Sequence, residues 1–294
     1  MTPDTFAGLM DILIEKNYTF LSMDEVHELL IKRRQIRKVV AVTFDDGYKD
    51  TFEYALPVLQ ERNIPVAVYV MTGDQNEILI PWLILLMDVI YQHSVISFTI
   101  ENNVSQFRTD TSYGKKTAIN SILDLIFSSE KNQIAHLRKI IHHISPGSKP
   151  PQNILLPYDK LQHYNKNPLV TIGAHGIDHS NLKALNKPDV EKQFNDSKKC
   201  LEKVLGSPVV HFAYPYGGRE FAGTREFQLA KEAGYLTAVT TRYGHIFPGH
   251  AEFLMCLPRI SIGPAVCGDS QLFQFLMNGC IAMMKNKGKR FITA

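Results

Sequence analysis

The sequence predicts an α/β fold built on a mainly parallel sheet or barrel, and three observations support this prediction. Short runs rich in β-branched residues, such as Val39–Phe44 and Pro65–Val70, are typical of buried strands. Segments with helical spacing of apolar residues separate these runs, and such alternation is typical of parallel sheets. The chain of 294 residues, 45% hydrophobic and 21% charged, is long enough to bury a large core.

Two helices are predicted before the first buried strand. Thr2 precedes Pro3, which suits an N-cap and the first helical position, and apolar residues follow at helical spacing. Ser22 and Glu25 form a capping-box pattern ahead of a second apolar run. The chain is therefore expected to enter the sheet through two amphipathic helices.

The stretch Val39–Asp50 is the one around which the chain is organised. Its β-branched run ends on Asp45 and Asp46, and Gly47 then permits the backbone to turn. The segment Thr51–Arg62 has a helical pattern and leads into the next strand, which completes a βαβ unit. Such units make right-handed parallel crossovers, so both strands should end at the same edge of the sheet.

The alternation stops between residues 73 and 164, which are interpreted as an inserted, mostly helical cap within a single domain, 1–294. Its histidines His136, His142 and His143 are expected to be ordinary helix residues. Neighbouring residues on a helix lie about 100° apart, so His142 and His143 cannot hold one ion together. The elements predicted here are helices at 82–91, 119–127 and 134–144 and a strand at 95–100.

The alternation resumes at Leu169. Gly206 and Gly234 follow apolar periodic segments and are predicted to end two helices. The elements predicted in this part are strands at 169–172, 209–213 and 235–241 and helices at 188–205 and 224–233.

Composition and charge exclude several classes of protein. A net charge of +3 is too small to indicate a nucleic-acid partner. The four cysteines include no CxxC pair, so free thiols are expected rather than a zinc knuckle or a redox site. The N-terminus lacks a basic segment followed by an apolar core, so no signal peptide is predicted and a cytoplasmic location is expected. The apolar run Ile78–Ile90 is shorter than the roughly 20 residues of a bilayer span, so no integral membrane segment is expected. Peripheral membrane association and oligomer formation both remain open.

Chemically reactive residues follow three of the predicted strands. Asp45 and Asp46 end the first strand, and a later strand is followed by His175 and His179, which would share one face if this segment began a helical turn. The segment Tyr214–Gly217 follows a third strand and could form a rigid loop that presents backbone N–H groups. Because parallel strands end at one edge, all three motifs should lie on the rim where parallel α/β folds place their active sites.

With these motifs the sequence resembles the NodB-homology polysaccharide deacetylases, carbohydrate esterase family four. The segment Thr43–Gly47 matches the family's first motif in full, and the histidine motif matches at both ligand positions. The resemblance covers roughly residues 39–70 and 169–262. It implies a deformed (β/α) barrel of the NodB-homology type, similar to a TIM barrel, which binds one divalent metal ion, usually zinc. The ligands that it implies are Asp46, His175 and His179.

The resemblance also implies roles for the residues beside the metal. Asp45 corresponds to the general base, which would take a proton from water as the water attacks an amide carbonyl. The third motif corresponds to a substrate-binding loop in which the backbone N–H of Tyr216 helps to hold the oxyanion. The residues of that loop are Tyr214, Pro215, Tyr216 and Gly217.

The sequence departs from the family pattern at several positions. Gly176 stands where a serine or threonine usually follows the first histidine, and Ala213 stands where an arginine often steadies the base. We expect Arg259 to supply that guanidinium from another strand, because a carboxylate base needs a positioned partner. No histidine motif for the general acid is evident, and His245 and His250 are the nearest candidates. Family members also carry an extra strand before the first helix, so an incomplete barrel is expected here, either open or completed by a neighbouring chain.

These motifs lead to one main functional hypothesis and two alternatives. The main hypothesis is a metal-dependent deacetylase, a hydrolase of linear amide C–N bonds that removes the N-acetyl or a related acyl group from an amino sugar. The carbohydrate substrate would be a polysaccharide, a glycolipid or a precursor of either. The alternatives are an esterase acting on O-acetyl sugars, which the same site could serve, and a non-catalytic carbohydrate-binding module.

Overall fold

The fold is described by a computed structural model for residues 1–34, 37–74, 77–100, 103–263, 266 and 269–293 of the chain. Three of the four cysteines, Cys200, Cys256 and Cys280, form no disulfide bond. Cys267 lies outside the described residues.

Ten strands and eleven helices make up the described part of the chain. The strands are β1 (Thr19–Phe20), β2 (Val39–Val40), β3 (Val42–Phe44), β4 (Val66–Val70), β5 (Val95–Ile100), β6 (Asn103–Arg108), β7 (Val170–Ala174), β8 (His211–Ala213), β9 (Thr237–Tyr243) and β10 (Leu257–Arg259). The helices are α1 (Pro3–Glu15), α2 (Met23–Ile31), α3 (Leu56–Glu61), α4 (Leu79–Gln92), α5 (Ser112–Phe127), α6 (Gln133–Ile144), α7 (Tyr158–Asn165), α8 (Lys187–Leu205), α9 (Thr224–Glu232), α10 (Ser270–Met277) and α11 (Cys280–Lys285).

Six parallel strands form the central sheet, in the order β10-β9-β8-β7-β4-β3. The sheet is curled into a half-barrel, which brings its two edge strands close together. Arg259 on one edge strand donates a hydrogen bond to Thr43 on the other, at 3.2 Å. The two edge strands are not paired through backbone hydrogen bonds in the part of the chain that the structure describes, and residues of both line a cavity of about 1370 Å³. The fold is therefore the deformed, open (β/α) barrel that the sequence predicts.

Strand β4 lies inside the sheet, and all five of its residues are buried. Its alternate side chains face two cores, as the pleat of a strand requires. Val66, Val68 and Val70 join the large core beneath the outer helices, whereas Ala67 and Tyr69 face an inner cluster that includes residues of α2. Burial on both faces explains why this strand is a continuous apolar run in the sequence.

The helix ends follow the capping signals in the sequence. Thr2 accepts a hydrogen bond from the Thr5 N–H at 3.2 Å, and Ser22 and Glu25 form the predicted capping box of α2. Gly206 ends α8 in a left-handed conformation, with φ of +69°. The predicted helix after β3 begins instead with a π-helical turn, Thr51–Ala55, and continues as α3.

The segment between β4 and β7 carries its own hydrophobic cluster. Helices α4, α5 and α6 pack against the antiparallel hairpin of β5 and β6, and their buried side chains do not belong to the large core. Helix α7, by contrast, places Leu161 in the large core. Strand β6 was not predicted, because its sequence is mostly polar. Among the described helices, none combines the length and the apolar character that a membrane span requires.

Candidate active site

The turn after β3 separates the two adjacent acids. Asp46 and Gly47 both adopt left-handed conformations, each with φ of +71°. A Cβ atom at Gly47 would lie 2.7 Å from Cγ1 of Val70, so this position requires glycine on two grounds. The turn directs Asp46 towards the histidine motif and Asp45 towards β10.

His175 follows β7 directly and is almost fully buried, with 1% of the residue exposed. Its Nδ1 lies 2.7 Å from the carbonyl oxygen of Ala213, which can only accept a hydrogen bond, so Nδ1 carries the proton. The Nε2 atom of neutral His175 is therefore left with a free lone pair. This nitrogen lies 3.2 Å from Oδ1 of Asp46.

His179 approaches the same carboxylate oxygen by a different route. Its Nε2 also lies 3.2 Å from Oδ1 of Asp46, and the centroids of the two imidazole rings are 4.9 Å apart. Residues 175–179 do not form the helical turn that would place the two histidines on one face. His179 instead adopts a left-handed conformation, with φ of +64°, after a similar conformation at Gly176, with φ of +76°. These two unusual backbone angles turn the second imidazole back towards the first.

The geometry of Asp46, His175 and His179 fits a divalent metal ion. One ligand atom from each residue lies within 4.8 Å of the others. Oδ1 of Asp46 and Nδ1 of His179 are buried without a hydrogen-bond partner among the described residues, and a buried oxygen of this kind needs a cation or a donor. Two imidazole nitrogens and one carboxylate oxygen form a donor set suited to zinc, with a coordination position left open for water or substrate.

Asp45 forms a bidentate ion pair with Arg259. The two guanidinium nitrogens of Arg259 donate to Oδ1 and Oδ2 of Asp45 at 2.7 and 2.6 Å, and Nε donates to the Thr240 carbonyl at 2.9 Å. Burial raises the pKa of Asp45, but the charge and hydrogen bonds of Arg259 outweigh this effect and hold the pKa below its ordinary value. Asp45 is therefore ionised at neutral pH, and its side chain remains 27% exposed.

The loop after β8 contributes one aromatic residue to the site. Tyr216 adopts a left-handed conformation, with φ of +59°, which is rare for a bulky residue. Its ring contacts His179, with centroids 4.3 Å apart, and Phe127 of α5, with centroids 4.6 Å apart. The Tyr216 N–H donates to no atom within the described part of the chain, so it is available to a ligand.

The other members of this loop have structural roles. A Cβ atom at Gly217 would lie 2.4 Å from the Thr241 nitrogen, and Pro215 is buried close to Gly176. The side chain of Tyr214, which was predicted to bind substrate, is fully buried, so its position gives no support to a contact between its ring and a substrate. The Tyr214 hydroxyl donates to the Met255 carbonyl at 2.9 Å, so its aromatic ring serves the core.

Neither candidate for the general acid joins the cluster. His250 is fully buried, and its two ring nitrogens contact backbone groups of Phe247 and Ile292. Nε2 of His245 lies 3.3 Å from the Leu276 carbonyl. Both histidines therefore pack against the C-terminal segment, and their positions give no support to a catalytic role.

Sequence reasoning missed two residues that contact the site. Tyr48 follows Gly47 and lies near Asp46. Burial raises the pKa of the Tyr48 hydroxyl, and the negative charge of Asp46 raises it further. Gln193 of α8 contacts the backbone at Ile177. The adjacency of Tyr48 to the acidic motif was a usable signal, whereas nothing in the sequence connects Gln193 with a loop 16 residues earlier.

Comparisons with known proteins identify the family and the fold of the chain. Residues 32–238 match the model of the family described as "Polysaccharide deacetylase". The Bacillus subtilis (strain 168) protein YxkH is 22% identical over 269 residues, which cover 90% of this chain and 66% of YxkH, so the chain spans just under two thirds of that relative.

Two solved structures share the fold. The Streptococcus pyogenes deacetylase PplD in complex with acetate superposes with a TM-score of 0.59 at 21% identity, covering 92% of this chain and 85% of PplD. IcaB from Ammonifex degensii superposes with a TM-score of 0.57 at 17% identity, covering 94% of this chain and 90% of IcaB.

Proposed function

Because the chain belongs to the polysaccharide deacetylase family, we propose that it is a metal-dependent hydrolase that removes the N-acetyl or a related acyl group from an amino sugar. The observation that carries this proposal is the convergence of Asp46, His175 and His179 beside the ion pair of Asp45 and Arg259. The acetate named with PplD supports an acetyl group as the one removed.

The three convergent side chains would hold the metal through Oδ1 of Asp46 and the Nε2 atoms of the two histidines. When bound, a divalent ion of this kind would supply Lewis-acid chemistry that lowers the pKa of water towards about 7. Asp45 is free for another task, because its oxygens face Arg259 rather than the histidines.

In the proposed reaction, Asp45 accepts a proton from water as the water oxygen attacks the carbonyl carbon of the amide. The N–H of Tyr216 donates to the carbonyl oxygen as negative charge develops on it. The C–N bond then breaks as the proton held by Asp45 passes to the leaving nitrogen, which gives acetic acid, ionised to acetate in solution, and an amine. The ring of Tyr216, packed between His179 and Phe127, keeps this N–H in place.

An acetate-release panel tests the proposal. Purified protein is loaded with Zn²⁺ and incubated with matched sugars and glycolipids that carry either N-acetyl or O-acetyl groups. We expect acetate and a new free amine from the N-acetylated compounds. Release from the O-acetylated compounds alone would contradict the proposal in favour of an esterase, and binding of carbohydrate without any release would indicate a non-catalytic module.

Loss of a proposed ligand should empty the metal site. We expect Asp46→Ala to weaken Zn²⁺ binding by at least about 100-fold, because it removes the carboxylate that lies between the two imidazoles. Loss of a residue that only hydrogen-bonds a ligand typically lowers metal affinity by about 10- to 100-fold, so loss of a ligand itself should cost at least as much. The measurement is competition with a chromophoric chelator. Asp50→Ala makes the same chemical change at an exposed position four residues away and should leave the affinity unchanged. Equal Zn²⁺ affinity in the Asp46→Ala protein and the wild type would exclude Asp46 as a ligand.

A further inference from the structure

The histidine loop, defined here as residues 175–183, is held by a glutamine from the barrel. Gln193 of α8, which is 7% exposed, accepts a hydrogen bond from the Ile177 N–H at 2.7 Å through Oε1. Its Nε2 donates to Oδ1 of Asp178 at 2.8 Å, and the same oxygen accepts from the Ser180 N–H at 3.1 Å. One side-chain amide therefore fixes the backbone between the two histidines.

The packing of Gln193 depends on the absence of a side chain at Gly176. A Cβ atom at Gly176 would lie 3.0 Å from Oε1 of Gln193, closer than an ordinary contact. Gly176 also has φ of +76°, a conformation that residues with a side chain rarely adopt. The two residues therefore fit each other, and the hydrogen bond that Gln193 accepts from the Ile177 N–H supports the loop where a serine or threonine side chain is missing.

A second glutamine holds the other end of the histidine loop from the cap. Gln133, the first residue of α6, is 2% exposed and accepts a hydrogen bond from the Asn181 N–H at 2.8 Å. Its Nε2 donates to the carbonyls of Asn181 and Ser129, at 3.3 and 3.0 Å. The Asn181 side chain in turn donates to the Phe127 carbonyl at 2.9 Å. The cap and the loop thus share a buried polar network two residues beyond His179.

The hydrogen bonds of the histidine loop show why both glutamines are needed. The carbonyls of Gly176, Ile177 and Asp178 accept hydrogen bonds from the backbone that follows β4, at 2.7 to 3.2 Å. The N–H groups of Ile177 and Asn181 instead depend on Gln193 and Gln133. Buried backbone groups are costly to leave unpaired, so these side chains complete the pairing of an irregular segment.

We propose that Gln193 and Gln133 are positioning residues that hold His179 in its strained conformation, within reach of the same ion as Asp46 and His175. Gln133 makes the cap a part of the metal site's support. This inference rests on the metal dependence in the proposed function. Pre-organisation of ligands by surrounding hydrogen bonds typically changes metal affinity by 10- to 100-fold.

The first test measures Zn²⁺ affinity by chelator competition in Gln193→Ala and Gln133→Ala. We expect each variant to bind Zn²⁺ about 10-fold more weakly than the wild type. Gln228→Ala removes an exposed glutamine amide from α9 and should bind as the wild type does. Wild-type affinity in both glutamine variants would overturn the inference, whereas a wild-type protein that binds no Zn²⁺ would overturn the proposed metal dependence and this inference with it.

A second test exchanges the partners in the hydrogen bond between Gln193 and Asp178. Gln193→Glu alone places two carboxylates 2.8 Å apart and should weaken Zn²⁺ binding. Adding Asp178→Asn supplies an amide N–H that can donate to the new carboxylate at position 193. That carboxylate still accepts from the Ile177 N–H, and the amide oxygen at position 178 still accepts from the Ser180 N–H, so the double variant should recover the Zn²⁺ affinity. The absorption of the Co²⁺-loaded proteins should follow the same order, because it reports ligand geometry. Failure of Asp178→Asn to rescue the single variant would contradict a positioning role, and these volume-conserving variants carry the comparison if Gln193→Ala does not fold.

Discussion

Replacing Asp45 with asparagine is expected to lower kcat by about 10²- to 10⁴-fold, the contribution typical of a general base, while the protein retains its metal. The amide keeps the size of the side chain but cannot take a proton from water. The oxygens of Asp45 contact Arg259 and not the imidazoles, so the proposed ligands should be unaffected. Initial rates of acetate release and metal content of the same preparation measure the two effects together.

The loss of turnover can be assigned to the base only if the variant is folded. This needs a control, because Asp45→Asn removes the negative charge that neutralises Arg259. Circular dichroism and thermal unfolding serve as controls for the fold. Turnover that remains at the wild-type level would exclude Asp45 as the base. Loss of metal together with turnover would mean that Asp45 belongs to the ligand set.

Replacing Arg259 with alanine should affect stability, turnover and pH dependence together. The change leaves Asp45 as a largely buried, unpaired charge, which costs 3–5 kcal/mol when the pair is fully buried. Because Asp45 is 27% exposed, we expect about 3 kcal/mol, measured by urea unfolding at pH 7. Turnover should fall about 10- to 100-fold without loss of metal, since the base loses the group that orients it.

The pH dependence of Arg259→Ala follows from the pKa of Asp45. In the wild type this pKa lies below its unfolded value, so the ion pair contributes stability above the unfolded pKa and loses it as the pH falls through the folded pKa. The difference in unfolding free energy between wild type and variant should therefore shrink in acid. Without the guanidinium, burial raises the pKa of Asp45, which should move the acidic limb of the rate profile to higher pH.

Arg259→Lys is the matched control for this prediction. It keeps one positive charge near Asp45 but cannot donate the two parallel hydrogen bonds of a guanidinium. We expect the unfolding free energy of Arg259→Lys, and the pH of the acidic limb of its rate profile, to lie between those of the wild type and Arg259→Ala. Identical unfolding free energies and pH profiles in wild type and Arg259→Ala would remove Arg259 from the site.

The convergence of the three motifs on one edge of the sheet could be predicted, because it follows from the parallel direction of the strands that precede them. Parallel strands bring their carboxyl ends to one edge, so Asp46 and His175 had to lie near each other once β3 and β7 belonged to one parallel sheet. Arg259 was expected on chemical grounds, because the base lacked a partner. Its place on another strand was part of that expectation, although the three residues of β10, which include a proline, are too short a pattern to define the strand by themselves.

The finer features of the site depend on tertiary packing that no local pattern encodes. The histidine pair at a spacing of four residues suggested a helical turn, but left-handed conformations at Gly176 and His179 produce the same juxtaposition. The sequence placed both Tyr214 and Tyr216 in the substrate-binding loop, and only the position of the core decides that Tyr214 is buried. The contacts of Gln133 and Gln193 likewise arise from helices that pack on the histidine loop from two sides.

Metal-dependent hydrolysis is tested most directly by a Zn²⁺ titration of metal-free wild-type protein, with acetate release followed on the best N-acetylated compound of the panel. We expect the rate to rise in proportion to added Zn²⁺ up to one equivalent per chain and then to stay constant, and we expect no such rise in Asp46→Ala. Acetate release by the metal-free protein at the rate of the loaded protein would rule out a metal-dependent reaction.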